Sequence, residues 1–352
     1  MHLQLVNGSI NKKELNAVVT VSSISEFELI RRLQLVLDSH SVQGNSLDNI
    51  LLGIGDDATV AKMDSKIEVA TTDTLVEGVH FISESISMND LGWKSIAVNL
   101  SDIAAMGCSP VYSLVTLGLK PTQTVQSLED LYEGMAEISE SYGGKVVGGD
   151  IVRSDTFFIS VTVVGAPLDS SVMRRDTARP GDLVAVTGHL GCSAAGLRVI
   201  MEHLSITKQA QDHFTKSHLR PLPRIEIGLS LARQGIKCAM DISDGLLNDL
   251  SKICAASNVS ATVSVNDLPI HENLQSCFPN IWDQLAVGGG EDYELLFTIP
   301  GNLKDKISQK PDVGFKIIGK ITEGSEGVTV IGPTGESKDY STGGWDHFKE
   351  HA

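Results

Sequence analysis

Residues 89–119 read NDLGWKSIAVNLSDIAAMGCSPVYSLVTLGL. Trp93, Ile96, Ala97, Leu100, Ile103 and Ala104 recur at steps of three and four, which predicts a helix over Asn89–Met106 with one buried stripe. The Met106-Gly107-Cys108 segment reads as a turn, and the run Val111–Leu119 that follows has the length and β-branched content of a strand. Working outward, strand-like runs at Ile67–Thr72 and Phe157–Val164 and a second helical pattern at Ser127–Tyr142 continue the alternation. Such alternation is expected when helices cover a sheet, so the fold class is α/β (mixed α+β).

Toward the N-terminus, Ser25 and Glu28 form a capping-box pattern ahead of Leu29, Ile30, Leu33, Val36 and Leu37, predicting a helix over Glu26–Asp38. Toward the C-terminus, Arg179-Pro180-Gly181-Asp182 is turn chemistry. A second series follows it: strand Leu183–Thr187, helices near Ser193–Leu204 and Arg224–Gln234, and strand Tyr293–Ile299. The 352 residues exceed the roughly 250–300 at which single cores stop growing. Two domains are therefore expected, 25–168 and 169–352, with the boundary near Pro167–Ser171 and residues 1–24 as an extension without an assigned role.

Lys and Arg number 28 against 44 Asp and Glu, a net charge of −16, which disfavours nucleic acid as a partner because its phosphates demand a local cationic excess. The five cysteines include no C-x-x-C pair, so neither a disulfide framework nor a zinc knuckle is expected. No run approaches the about 18 apolar residues of a membrane span, and residues 1–24 lack signal-peptide character. The expected location is the cytoplasm, with no membrane partner.

The acids are informative where they sit beside Gly, Ser or Thr. Five segments stand out: Gly53-Ile54-Gly55-Asp56-Asp57, Thr71-Thr72-Asp73-Thr74, Asn99-Leu100-Ser101-Asp102, Gly148-Gly149-Asp150 and Asp241-Ile242-Ser243-Asp244-Gly245. Any one of these aspartates alone reads as a helix cap or turn former. Together they suit Mg²⁺, which takes oxygen ligands and is usually held by one or two carboxylates plus substrate phosphates. Strand Ile67–Ala70 is expected to deliver Thr71, Thr72 and Asp73 at its end, and Asn99 and Asp102 to share a helix face away from the stripe. The Gly-Gly pair before Asp150 is either a phosphate-approaching loop or simply a turn. Walker A, G-x-G-x-x-G, H-E-x-x-H and G-x-S-x-G patterns are all absent.

Eight strings carry a wider likeness: GIGDDATV (53–60), TDTLVEGVHF (72–81), GWKSIAVNLSDIAAMG (92–107), GGDIVR (148–153), ARPGDLVAVTG (178–188), HLRPLPR (218–224), MDISDGLLNDL (240–250) and GGEDYELLFT (289–298). In this order they closely resemble the thiamine-monophosphate kinase family, from about Ser25 to Phe348. That family belongs to the group containing aminoimidazole ribonucleotide synthetase, selenophosphate synthetase and a hydrogenase-maturation protein. The resemblance implies the two-domain aminoimidazole ribonucleotide synthetase-like fold. Its N-terminal α/β domain pairs with its twin in a homodimer, and nucleotide lies in the cleft against a C-terminal α/β domain. It implies ATP as co-substrate, thiamine monophosphate as acceptor, thiamine diphosphate as product and several Mg²⁺ ions.

Carried over residue by residue, the resemblance makes Asp57, Thr71, Thr72, Asp73, Asp102, Asp150, Asp241 and Asp244 metal ligands, with Asp56 not a direct one. It places Gly149, Asp150, Arg175 and Ser243 against ATP, and His80, Glu291 and Trp345 at the thiamine site. The chemistry fits these residue types. Two polyanions must meet, at about 4 kcal/mol per pair of unit charges 4 Å apart in an effective dielectric of 20, and acid-held cations reverse that repulsion. The nucleophile is a phosphate oxygen, already ionised near neutrality, so no covalent nucleophile or general base is expected. His80 suits the acceptor phosphate or plain packing beside Phe81; Trp345 suits a thiazolium face or a plug for the C-terminal domain. Against the group's other activities, no Cys lies in an N-terminal Gly-rich loop and the chain ends in His351-Ala352, not in Cys. Aminoimidazole ribonucleotide synthesis is set aside by the motif resemblance alone, and the rival from another class is a nucleotide-binding regulator without turnover.

Overall fold

The computed structural model describes residues 19–40, 50–54, 59–63, 66–168, 171–304, 307, 314–324 and 327–340. Asp56, Asp57 and Trp345 lie outside them, as does most of the N-terminal extension. Helix α1 (Glu26–Ser39) begins where Ser25 Oγ accepts the Glu28 N–H at 3.2 Å. Only half of the expected box forms, because the Glu28 carboxylate turns to the guanidinium groups of Arg31 and Arg32, whose charge-assisted bonds are stronger.

A short ribbon, β1 (Ile50–Leu52) with β2 (Val60–Ala61), precedes β3 (Val69–Val76), α2 (Met88–Ala105), β4 (Cys108–Leu119), α3 (Val125–Tyr142), β5 (Lys145–Arg153) and β6 (Phe158–Pro167). The four long strands form one sheet in the order β3-β6-β4-β5. β6 is antiparallel to both neighbours, while β4 and β5 run parallel, as the α3 crossover between them requires. Alternation divides the sheet: Val115, Leu117, Ile159, Val161 and Val163 are buried under the helices, and Thr72, Thr74, Thr116, Ser160 and Thr162 occupy the other face.

The second half contributes β7 (Leu183–Thr187), α4 (Cys192–Glu202), α5 (Lys208–Leu219), α6 (Ile225–Arg233), β8 (Ala239–Asp241), α7 (Leu246–Ser257), β9 (Ser260–Ser264), α8 (Glu272–Cys277), α9 (Trp282–Gly288), β10 (Leu295–Ile299), β11 (Phe315–Thr322) and β12 (Gly327–Ile331). Its sheet runs β12-β9-β11-β7-β10-β8 and is antiparallel except for β12 on β9.

The helix read first in the sequence, α2, turns out to be buried on nearly every side. One side packs on α3 so closely that a Cβ on Gly92 would lie 1.9 Å from the Leu131 carbonyl oxygen, and one on Gly134 1.8 Å from that of Asn89. The other side meets α6 and β8. Trp93 Nε1 donates to the Pro221 carbonyl at 2.8 Å, and the Arg220 guanidinium lies 4.3 Å over the same indole. The two halves thus share one core through α2, which joins Ile96, Leu100 and Val161 to Ile225, Leu229, Leu295 and Phe297.

Several local expectations need correcting. Gly148-Gly149-Asp150 lies inside β5, not in a turn: Val146, Val147, Ile151 and Val152 supply strand character, and ladder bonds to β4 outweigh the weak preference of glycine. Thr71-Thr72-Asp73 is mid-strand, since β3 runs on to Val76. Asn99 does not share an open face with Asp102; it is fully buried, its Nδ2 donating to the Ser95 carbonyl at 3.1 Å.

Candidate active site

Alternation along β3 turns Thr71 and Asp73 toward α2. There Thr71 Oγ1 donates to Asp102 Oδ2 at 2.5 Å. The preceding residue of α2, Ser101, reaches the opposite way and donates to Asp241 Oδ2 at 2.7 Å, at the end of β8. Consecutive α2 residues therefore face the seam from both sides: Asp102 is held by Thr71 of the first half, and Ser101 holds Asp241 of the second. Burial pushes the Asp73 carboxyl up to about 6, with the charges of Asp102 and Asp244 adding to the effect. Asp102 and Asp241 are also raised, each first by burial; Asp102 further raises Asp241, while the Thr71 bond and the Arg175 charge oppose the rise at Asp102. Burial is the larger cause at all three, and repulsion between neighbouring carboxylates adds to it at Asp73 and Asp241.

Ser243 and Asp244 follow β8 in a turn whose two N–H groups both donate to Asp249 Oδ2 at 3.0 Å. The Lys252 ammonium bridges Asp244 Oδ2 at 2.5 Å and Asp249 Oδ1 at 2.7 Å. The Ser243 carbonyl accepts the Glu291 N–H at 2.8 Å, so this turn also fixes the segment after Gly288-Gly289-Gly290. Glu291 has a left-handed backbone, φ +64°, an unusual conformation for a residue with a Cβ.

These groups border a cavity of about 840 Å³ between the halves. Asp73, Ser243, Asp244, His80, Lys94 and Glu291 line its polar end, and Ile82, Ile86, Leu197, Ile200 and Met201 an apolar end. Its size and mixed lining suit a small organic ligand. His80 Nδ1 accepts the Val76 N–H at 3.1 Å, which leaves the ring proton on Nε2. Lys94 Nζ lies 3.1 Å from Glu291 Oε1 and 3.2 Å from Oε2. His218 Nδ1 lies 3.2 Å from Glu291 Oε2 and 3.0 Å from Ser193 Oγ. Burial alone would raise the Glu291 carboxyl, but the charge and hydrogen bond of the Lys94 ammonium lead the effects that hold it below its ordinary value. Burial, with Lys94 adding to it, lowers His218 to about 4, so its imidazole is neutral at pH 7.

The family description "AIR synthase related protein, N-terminal domain" matches residues 55–166, and the corresponding C-terminal domain matches 179–332. The thiamine-monophosphate kinase of Bacillus subtilis (strain 168) is 34% identical over 333 residues, covering 93% of this chain and 100% of that protein. The chain belongs to the thiamine-monophosphate kinase family. The crystal structure of the Stenotrophomonas maltophilia K279a member superposes with a TM-score of 0.77 at 35% identity, over 90% of this chain and 98% of that one. AaThiL complexed with AMPPCP and TMP superposes with a TM-score of 0.73 at 33% identity, over 97% and 99%.

Family membership implies a divalent cation, and the donor set fits one in part. All the donors are oxygens, as a hard cation prefers, and the Asp73, Asp102 and Asp241 carboxyls are all raised by burial, with Arg175 the only charge opposing the rise, at Asp102. Among the described residues no three acidic, imidazole or thiol side chains form a ready-made cage.

Of the residues expected at the family's site, Thr71, Asp73, His80, Asp102, Asp241, Ser243, Asp244 and Glu291 come together at the seam. The others stand apart. Thr72 borders the cavity, but its hydroxyl donates to the Val161 carbonyl at 3.0 Å on the open face of the sheet. Gly149 and Asp150 lie on β5, three strands and therefore about 14 Å from β3. Register nevertheless aligns Asp73 with Val161, Val115 and Gly149 in one row across the sheet. Arg175 is exposed, near enough to Asp102 to act on its charge. Sequence reasoning missed Lys94, Ser101, His218, Asp249 and Lys252. A usable signal existed for Lys94 alone, a charged residue between Trp93 and Ile96 of the apolar stripe.

Proposed function

We propose that the protein transfers the γ-phosphoryl group of ATP to thiamine monophosphate, giving thiamine diphosphate and ADP, in the cavity between its halves. The observation that carries this reading is the meeting of Asp73 from β3, Asp102 from α2, and Asp241 and Asp244 at the end of β8 beside a cavity of about 840 Å³. Acids that repel one another in a family of phosphotransferases make sense as holders of cations.

Several Mg²⁺ ions would be held by Asp57, Thr71, Thr72, Asp73, Asp102, Asp150, Asp241 and Asp244 between them, where they would neutralise phosphate charge during transfer. The chain's own part is orientation. Thr71 and Ser101 fix the rotamers of Asp102 and Asp241, and Asp249 locks the turn that carries Ser243 and Asp244. His80 presents its Nε2–H to the acceptor phosphate, and Glu291 and Trp345 bind the thiamine moiety. Gly149, Asp150, Arg175 and Ser243 contact ATP. The attacking phosphate oxygen is ionised near neutrality, so no residue need take a proton.

The same reading divides the chain into residues 1–24, 25–168 and 169–352, and places the protein in the cytoplasm as a homodimer. The open face of the first sheet, with Thr116, Ser160 and Thr162, would pack on its twin. The test is thiamine diphosphate formation from ATP and thiamine monophosphate with Mg²⁺, run beside formylglycinamidine ribonucleotide and selenide. Product from the first acceptor alone supports the reading; product only from another acceptor, or from none, overturns it.

A further inference from the structure

We propose that Lys94 is a positioning residue for acceptor binding, acting through Glu291; this rests on reading the cavity as the acceptor site. Lys94 is 2% exposed on a helix buried nearly all round, where an ammonium is costly unless paired. It is paired with both oxygens of one carboxylate, at 3.1 and 3.2 Å from Glu291. A cation that touches both oxygens fixes the plane of the carboxylate as well as its position. Side-chain exposure of 30% leaves Glu291 open to the cavity, which Lys94 and Glu291 both line.

The backbone shows the same aim. Glu291 is anchored by its N–H on Ser243 and held at φ +64°, so its side chain has few alternative directions. Lys94 comes from the first half and Glu291 from the second, so the pair also ties the two walls of the cavity together. His218 adds a neutral contact at 3.2 Å and no second charge. A carboxylate compensated by an ammonium presents oriented acceptors to a ligand without a full unpaired charge. The wall then selects by hydrogen-bond geometry more than by attraction for any cation.

The test is steady-state kinetics on the full-length protein for Lys94→Met, Glu291→Gln and the double variant, varying ATP and thiamine monophosphate separately. We expect Lys94→Met to raise KM for thiamine monophosphate about tenfold and to leave KM for ATP within twofold. We expect the double variant to match Glu291→Gln alone, because Lys94 has nothing left to position. Additive losses in the double variant, or equal rises in KM for both substrates, would overturn the proposal. If Lys94→Met does not fold, the double variant, which leaves no unpaired charge, still gives the comparison with Glu291→Gln. An unchanged KM for thiamine monophosphate in Glu291→Gln would sink the acceptor-site reading itself. A raised KM in Glu291→Gln with no effect of Lys94→Met would sink only the role of Lys94.

Discussion

Replacing Asp73 by Asn should stabilise the metal-free protein while disabling it. Burial and the charges of Asp102 and Asp244 raise the Asp73 carboxyl from 3.8 to about 6. A folded-state value above the unfolded one means that native protein holds this proton more tightly. The resulting stabilisation is full below pH 3.8 and is lost as pH rises through about 6. At pH 7.5 the ionised group therefore costs the fold about 3 kcal/mol, at 1.36 kcal/mol per tenfold change in proton affinity. Asparagine keeps the shape and removes that cost, so melting in EDTA at pH 7.5 should rise by roughly 5 °C. The gap should narrow at pH 4.5, where the native carboxyl is mostly protonated. Adding Mg²⁺ should stabilise the wild-type protein more than the variant, and thiamine diphosphate formation by the variant should fall at least a hundredfold. A variant that melts below wild type in EDTA, or that keeps wild-type turnover, would refute the argument that this acid is strained for the sake of a cation.

Two further outcomes follow from other parts of the site. The Lys252 ammonium pairs with Asp244 at 2.5 Å and so competes with a cation for that carboxylate. Lys252→Met should tighten Mn²⁺ binding severalfold by electron paramagnetic resonance and lower the melting temperature in EDTA; weaker Mn²⁺ binding would contradict this. Gly149 has φ +156°, and a Cβ there would lie 1.8 Å from the Val115 carbonyl oxygen. Gly149→Ala should therefore cost about 2 kcal/mol or more by urea unfolding, and a neutral result would show that β4 and β5 can separate at little cost.

The layered α/β architecture was legible locally, because periodicities of two and 3.6 report which residues of an element face inward. Helices α2 and α3 and strands β4 and β6 fall close to where that pattern places them. The acidic segments were legible as chemistry, and the long strings identified their family. Local pattern failed where packing overrode preference. Gly148-Gly149-Asp150 has the composition of a turn yet is held as strand by its ladder with β4, and Asn99 is polar yet buried. The burial of α2 on both sides is invisible in its own sequence, because the second layer is supplied by α6 and β8.

The sequence by itself determined the faces, the inventory of oxygen donors and the likeness to a phosphotransferase family. Only the tertiary structure decided which donors meet. Ser101 and Asp241 are 140 positions apart, and Lys94 and Glu291 are 197 apart. A hydrogen bond or ion pair depends on a few ångströms of separation, and no local rule along the chain fixes that distance; the closing of one half on the other around α2 does.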